Sequence, residues 1–243
     1  MSSDFVSRGG AAASTPVSIV IPFFNEEACA RQLLVEIGEQ LAPGQIEFEV
    51  IAIDDGSTDR TGDILASYAT IDRRVRVLSS ERNCGQAMAL LRGLQAATQP
   101  IIVTLDGDGQ NDPADIPRLL ARLHDLDMVV GIRQHRNDSW LRRWMSRIAN
   151  AVRSCILGDR MRDSGCALKA FRQSAVASFI PIKTLYSFMP AMAIAAGLRV
   201  GQLPVNHRPR QGGSSSYGMR QFLWYPVLDL LGVWWFVKRR ASR

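Results

Sequence analysis

The stretch IIVTLDGDGQNDP, residues 101–113, runs from an apolar segment straight into two aspartates one residue apart. Side chains alternate along a strand, so Asp106 and Asp108 at its end project to the same side. Two carboxylates held together repel, and at neutral pH one of them keeps a proton unless a cation lies between them. Gly107 and Gly109 carry no side-chain bulk, which leaves room for a ligand. A hard divalent cation carrying a phosphate satisfies this pattern, because magnesium or manganese takes one or two carboxylates plus substrate oxygens. An acidic turn closing a strand is the competing reading, with Gly and Asp serving turn chemistry.

Working outward, short β-rich runs alternate with longer segments of helical spacing. The runs are VSIVI (17–21), FEVIAID (48–54), VRVLS (75–79), IIVTL (101–105) and DMVVG (127–131). Between them ARQLLVEIGEQL, DRTGDILASYA, GQAMALLRGLQAAT and PADIPRLLARLHDL place apolar residues at helical intervals. Ser57, Thr58 or Asp59 can cap the second helix, and Asp112-Pro113 opens the fourth. This alternation predicts an α/β fold with a mostly parallel sheet and helices on both faces. Ligands of such sheets bind beyond the carboxyl ends of the strands, where both Asp54-Asp55 and Asp106-Asp108 fall. The turn after the first strand reads PFFNEE, with no G-x-G-x-x-G, which excludes the usual dinucleotide fingerprint.

The 243 residues fit one large domain, and 47% hydrophobic residues supply an ample core. Residues 1–130 hold 10 Arg+Lys against 19 Asp+Glu, a balance of −9, whereas residues 131–243 hold 19 against 4, a balance of +15. An acidic half bearing metal-type aspartates is thus joined to a basic half suited to anionic partners. The four cysteines (Cys29, Cys84, Cys155, Cys166) show no CxxC or zinc spacing and read as reduced, mostly buried thiols. Residues 1–16 are small and polar with no apolar core, unlike a signal peptide, and read as a disordered leader.

The chain resembles the family 2 glycosyltransferases of GT-A fold, in the branch of dolichol-phosphate mannose synthase and the bacterial polyprenyl-phosphate sugar transferases. The resemblance rests on VSIVIPFFNEE, VIAIDDGSTDRT, ERNCGQAMALLRGLQAA, LDGDGQNDP, VVGIRQHR, RRWMSRIAN, RDSGCALKAFR and HRPRQGGSSSYG, which cover residues 17–218. It implies a single Rossmann-like GT-A domain over those residues, followed by a tail at 219–243. It also implies that the turn carrying Pro22, Asn25 and Glu27, together with Asp54 and Asp55, holds the base and ribose of a nucleotide-sugar. Asp54-Asp55 can equally serve as a capping turn. Asp106, Asp108 and Gln110 match the family's Mg2+ or Mn2+ set, with Asp108 and Gln110 read as the direct ligands.

The basic half then acquires a partner. Residues 131–162 hold eight arginines and two acids. Arg142, Arg143, Ser146 and Asn150 fall on one helical face, and Arg133 closes the fifth strand at the ligand edge. In the resembling enzymes this region binds the phosphate of a polyprenyl phosphate, an acceptor already ionised and needing charge neutralisation more than a strong base. A solvated arginine-rich helix is the plainer alternative. Asp163 matches a family aspartate on the acceptor side, and a salt bridge or cap with Arg162 or Lys169 competes evenly. The family's loop usually carries a lysine before its tyrosine. Here Ser216 precedes Tyr217, so one cation is missing near the donor diphosphate, for which Arg208 or Arg210 can compensate.

The tail FLWYPVLDLLGVWWFVKRR (222–240) is apolar and tryptophan-rich, with a basic end and Asp229 in mid-run. Some 16 residues of helix reach about 24 Å, short of the roughly 30 Å hydrocarbon core. It reads as an amphipathic, in-plane membrane helix, with docking on the protein's own core or on a sister chain as the alternative. The expectation is a metal-dependent, inverting transferase bound peripherally at the cytoplasmic face of the inner membrane. A soluble or lipid-linked glycan is the alternative acceptor. A basic nucleic-acid-binding module is the rival from another class; it leaves the acidic strand ends unexplained, so nucleic acid is not an expected partner. Neither the oligomeric state nor the identity of sugar and base is legible.

Overall fold

The computed structural model describes residues 15–134, 140–210 and 219–239, with the side chains of 140–147 and 219–224 outside that description. Most of the leader expected at 1–16 and the Ser216-Tyr217 loop therefore lie outside the described residues.

Seven strands form one sheet: β1 (Val17–Phe23), β2 (Phe48–Asp54), β3 (Val75–Ser79), β4 (Ile101–Thr104), β5 (Met128–Arg133), β6 (Lys169–Arg172) and β7 (Val200–Val205). Their order is β3-β2-β1-β4-β6-β5-β7. β6 runs antiparallel to both its neighbours, and every other pairing is parallel. The helices are α1 (Ala30–Leu41), α2 (Thr61–Ile71), α3 (Gln86–Ala96), α4 (Ile116–Arg122), α5 (Trp140–Leu157), α6 (Leu185–Ala195) and α7 (Met219–Arg239).

Alternation along the strands builds two cores. Ile19, Ile21, Val50 and Ala52 face the layer of α1, α2 and α4, where Leu33, Ile37, Leu65 and Leu119 are buried. Val20, Ile51 and Ile53 face the other layer, which includes Leu90 and Leu94 of α3, Leu185 and Met189 of α6 and Val233 of α7. Gly93 lets α3 sit directly on the sheet, since a Cβ there would meet Val20 at 2.4 Å and Ile53 at 2.6 Å.

The five strands expected from sequence are present, and two more complete the sheet. β6 is four residues long and opens on a lysine, while β7, VGQLPV, carries a glycine and a proline that weaken any strand pattern. The fourth helix opens differently from expectation. Pro113–Asp115 is a 3₁₀ turn, with Asp112 Oδ1 accepting from Ala114 N at 3.0 Å, and α4 follows it. Two of the four thiols, Cys84 and Cys155, are exposed rather than buried.

The tail helix α7 docks its inner face on the protein. Val233 is buried, Leu230 and Val237 pack against the core, and Lys183 Nζ lies 3.9 Å from the Tyr225 ring centroid. Asp229, the charge in mid-run, accepts from Thr184 N at 2.8 Å and Thr184 Oγ1 at 2.6 Å just ahead of α6. No helix among the described residues is long and apolar enough to cross a membrane.

Candidate active site

β1 and β4 lie side by side where the strand order turns back, with β2 and β3 on one side of β1 and β4 on the other, and a cleft lies beyond their carboxyl ends. The β1–α1 turn and the β2–α2 turn line it and are stitched together. Asn25 Oδ1 accepts from Thr58 N at 2.8 Å, Asn25 N donates to Ser57 Oγ at 3.1 Å, and Glu26 N donates to Thr61 Oγ1 at 2.9 Å. Glu27 Oε2 accepts from Arg60 N at 3.0 Å, while Glu27 N donates to Asp59 Oδ2 at 3.2 Å. Asp59 Oδ1 also accepts from Thr61 N at 2.9 Å, so of the three capping candidates it is the one facing the first turn of α2.

The two aspartates of the second strand end do different work. Asp54 Oδ1 accepts from Ser57 N at 3.0 Å and closes the turn. Asp55 Oδ1 and Oδ2 accept from Cys84 N at 2.9 Å and Gly85 N at 2.8 Å, which ties the loop before α3 to the cleft. Pro22 is buried in β1, against the acidic loop after β4. Gly107 belongs to that contact: a Cβ there would meet the Phe23 ring at 2.4 Å and Pro22 O at 2.8 Å. The space freed by this glycine is therefore filled by β1 rather than held open for a ligand. Gly109, at φ +71°, supplies a left-handed turn.

Asp106 accepts from Gln86 Nε2 at 2.6 Å, and its own N–H donates to Asn111 Oδ1 at 3.2 Å. Burial, and then the Asp108 charge, push its carboxyl up to about 7, against the opposing pull of Lys169, Gln86 and Arg133. Asp108 Oδ1 accepts only a local bond, from Gln110 N at 3.0 Å, and the residue stays partly exposed. Gln110 is braced by the segment that follows β7. Its carbonyl accepts from Arg208 N at 2.9 Å, and its Nε2 lies 3.4 Å from Arg208 O.

Both candidate donor-side arginines are already engaged. Arg208 bonds Glu36 Oε2 at 2.6 Å and Asp112 Oδ1 at 2.7 Å, which pins the segment after β7 to α1 and to the 3₁₀ turn. Arg210 pairs with Glu26, whose carboxyl is raised chiefly by burial and held down by Arg210 itself. Glu26 was not among the residues singled out from sequence; its neighbour Glu27 was, and is the exposed one of the two.

Across the β4–β6–β5 portion lies the second group. Arg133 grips Asp163 with Nε and Nη2, both at 2.8 Å, and its backbone N–H adds a third bond at 3.1 Å. Asp163 thus pairs with Arg133 rather than Arg162. Burial opposes the Arg133 charge, but the Asp163 contacts outweigh it and hold the guanidinium above its ordinary range. Arg142, Arg143 and Ser146 lie on α5, as the helical spacing predicts, but their side chains fall outside the described residues. Asn150, one turn further on, accepts from Ser164 Oγ at 3.1 Å, which brings this helix to the segment carrying Asp163.

Oxygen donors on a loop suit a hard cation. Among the described residues no group of three or more His, Cys, Asp or Glu gathers to enclose one. Mg2+ beside phosphates is commonly held by one or two carboxylates, with the remaining positions filled by substrate and water. Asp106, Asp108 and Gln110 fit that role.

The sheet order and the acidic loops beyond its carboxyl edge define a GT-A-type α/β protein. The glucosyl-3-phosphoglycerate synthase of Mycobacterium tuberculosis, solved with Mn2+ and UDP-glucose, superposes with a TM-score of 0.70 at 20% identity, over 95% of this chain and 82% of that one. At that identity the likeness speaks for the fold. Residues 18–179 match the model of glycosyl transferase family 2, and the chain belongs to that family. The dodecaprenyl-phosphate galacturonate synthase of Rhizobium johnstonii is 34% identical over 236 residues, 94% of this chain and 69% of the relative. The undecaprenyl-phosphate 4-deoxy-4-formamido-L-arabinose transferase of Edwardsiella ictaluri is 35% identical over 85% of this chain, and that of Pseudomonas paraeruginosa 36% over 85%. This chain spans only 64% and 62% of the length of those two relatives.

Proposed function

We propose that this chain transfers a sugar, with inversion, from a nucleotide-diphosphate sugar to a polyprenyl phosphate, using Mg2+ or Mn2+. The supporting observation is the pairing of two sites on one sheet edge. An acidic loop after β4 shares the sheet's carboxyl edge with the Arg133–Asp163 pair, to which α5 is tied by the Ser164–Asn150 hydrogen bond. The named relatives act on dodecaprenyl or undecaprenyl phosphate, which agrees with an anionic lipid acceptor.

In this reading residues 17–218 form the catalytic domain and 219–243 its tail. Asn25, Glu27, Asp54 and Asp55 shape the base and ribose end, with Asp55 holding the Cys84-Gly85 loop in place. Asp108 and Gln110 hold the cation beside Asp106, and the cation supplies charge stabilisation for the departing nucleotide. Arg133, Arg142, Arg143 and Ser146 neutralise and orient the acceptor phosphate, whose oxygen attacks without prior deprotonation. Asp163 limits the freedom of Arg133. The test is turnover of undecaprenyl phosphate with a panel of nucleotide-sugars, with and without EDTA. Lipid-linked sugar should form only with metal present; transfer solely to water or to a glycan would sink the acceptor assignment.

The tail reading divides between the two faces of α7. Its inner face is core, so truncation there would expose the protein's interior. Its outer face carries Leu228, Leu231 and Trp235, each more than half exposed, with Lys238 and Arg239 at its end. On α5, Ile148, Val152 and Ile156 are exposed as well. We read this outer surface as the part that rests on an anionic bilayer, at the cytoplasmic face of the inner membrane. The triple variant Leu228→Gln, Leu231→Gln, Trp235→Gln should keep its melting temperature and lose tenfold or more of its partitioning to anionic vesicles, on the order of 1.5–3 kcal/mol per apolar side chain being available. Unchanged sedimentation would return the outer face to another role.

A further inference from the structure

Lys169 is the first residue of β6, where its Cα pairs with Thr104 of β4 on one side and Val130 of β5 on the other. Two residues beyond Thr104 is Asp106, and three beyond Val130 is Arg133. The side chain is wholly buried, a state lysine almost never adopts without a counter-charge. An ammonium has three donors. Among the described residues its hydrogen bond goes to Cys166 O, and Nζ lies 5.3 Å from the Tyr186 ring centroid. That is meagre solvation for a full charge, and a buried cation so placed is costly unless anions compensate it.

We propose that Lys169 is a positioning residue, one buried cation shared by two carboxylates, Asp106 on the donor side and Asp163 on the acceptor side. This rests on the transferase reading for what the two sides bind, while the charge arrangement stands on its own. Asp106, Asp163, Lys169 and Arg133 cluster at the carboxyl ends of β4 and β5, where Asp163 is gripped by Arg133 and Asp106 is not gripped by any arginine among the described residues. Among the described residues Lys169 is the cation that acts most strongly on Asp106, ahead of Arg133. Burial draws its amine down to about 8, and Cys166, Asp106 and Asp163 push it back up, so at neutral pH it stays an ammonium. With a divalent cation at Asp106 and Asp108 the balance changes. The field of Asp106 is then spent on the metal, and Lys169 is left facing Asp163 alone. Lys169 thereby relates the occupancy of one half of the site to the charge felt by the other.

The test is a pair of double-mutant cycles on the full chain in EDTA at pH 7, read by thermal melting. Lys169→Met keeps the length and removes the charge. It should lower the melting temperature by about 5–10 °C, as expected for buried carboxylates left without their cation. Adding Asp106→Asn or Asp163→Asn to it should recover part of that loss in each case, because the anion being relieved is removed. Additivity in either cycle overturns the sharing, since a packing role predicts no coupling to either carboxylate. Mn2+ then provides the second readout: it should raise the melting temperature of Lys169→Met by more than that of the wild type, and an equal rise would also overturn the proposal. A wild type that shows no response to Mn2+, with both couplings intact, would count against the metal reading and leave the shared cation standing. Should Lys169→Met fail to fold, Lys169→Gln in the same cycles gives the same decision.

Discussion

Asp108→Asn is expected to cut turnover by on the order of 10²–10³-fold while leaving the melting temperature within a degree or two. The two halves of that expectation come from different observations. Asp108 makes one local hydrogen bond, to Gln110 N, and remains partly exposed, so the fold loses little when its charge goes. Its place beside Asp106 means that removing it takes away much of the anionic field available to a divalent cation. Activity assays at rising Mn2+ concentration read the outcome directly. Partial recovery at high metal supports a ligand role, and wild-type turnover at low metal would remove Asp108 from the metal set.

Asp159→Ala should destabilise the protein by about 3–5 kcal/mol, the usual cost of leaving a buried charge without its partner. Arg153 comes from α5 and is almost fully buried, with Nη1 2.5 Å from Asp159 Oδ2 and Nη2 3.2 Å from Oδ1. Nη1 also lies 3.3 Å from Ser187 O in α6, and Asp159 Oδ1 accepts from Met161 N at 3.1 Å. Together these bonds fasten the end of the arginine-rich helix to the rest of the molecule. Arg153 Nε is buried without a hydrogen-bond partner among the described residues, so the pair is imperfectly solvated there. The double variant Arg153→Met, Asp159→Leu should therefore recover most of the loss in a urea melt. A single variant costing under 1 kcal/mol would mean that water reaches Arg153.

The first half of the fold was legible because β1, β2, β4 and β5 are largely apolar runs, with a shorter alternating run at β3, separated by stretches of helical spacing, the signature of parallel strands covered by helices. β6 and β7 were hidden for physical reasons. KAFR begins with a wholly buried lysine, and no local rule foresees a lysine in a core. VGQLPV spends two of its six residues on glycine and proline. The site showed the same division. Asp54, Asp55, Asp106 and Asp108 stand at strand ends and could be found by their position. Gln86 and Glu26 act across 20 and 184 residues of chain, on Asp106 and Arg210 respectively. Spacing carries no trace of such pairs. The pairing of Asp163 with Arg133 was missed for a related reason: the nearer cations Arg162 and Lys169 looked equally suitable until the sheet order was known.

The reversed strand has a consequence for how the molecule is made. β3, β2, β1 and β4 draw only on the first 104 residues and can assemble as soon as these are available. The free side of β4, four residues long and three of them apolar, then waits for partners that lie 65 to 71 residues further along the chain. Until β6 arrives that side is an open template for pairing with another nascent chain, and its delayed closure is a slow, long-range step of the kind that exposes folding intermediates to aggregation. On the proposed function, the half of the cleft assigned to the nucleotide has its strands in place early, and the half assigned to the acceptor is completed last. Chaperone demand during synthesis should be concentrated in the interval between the two.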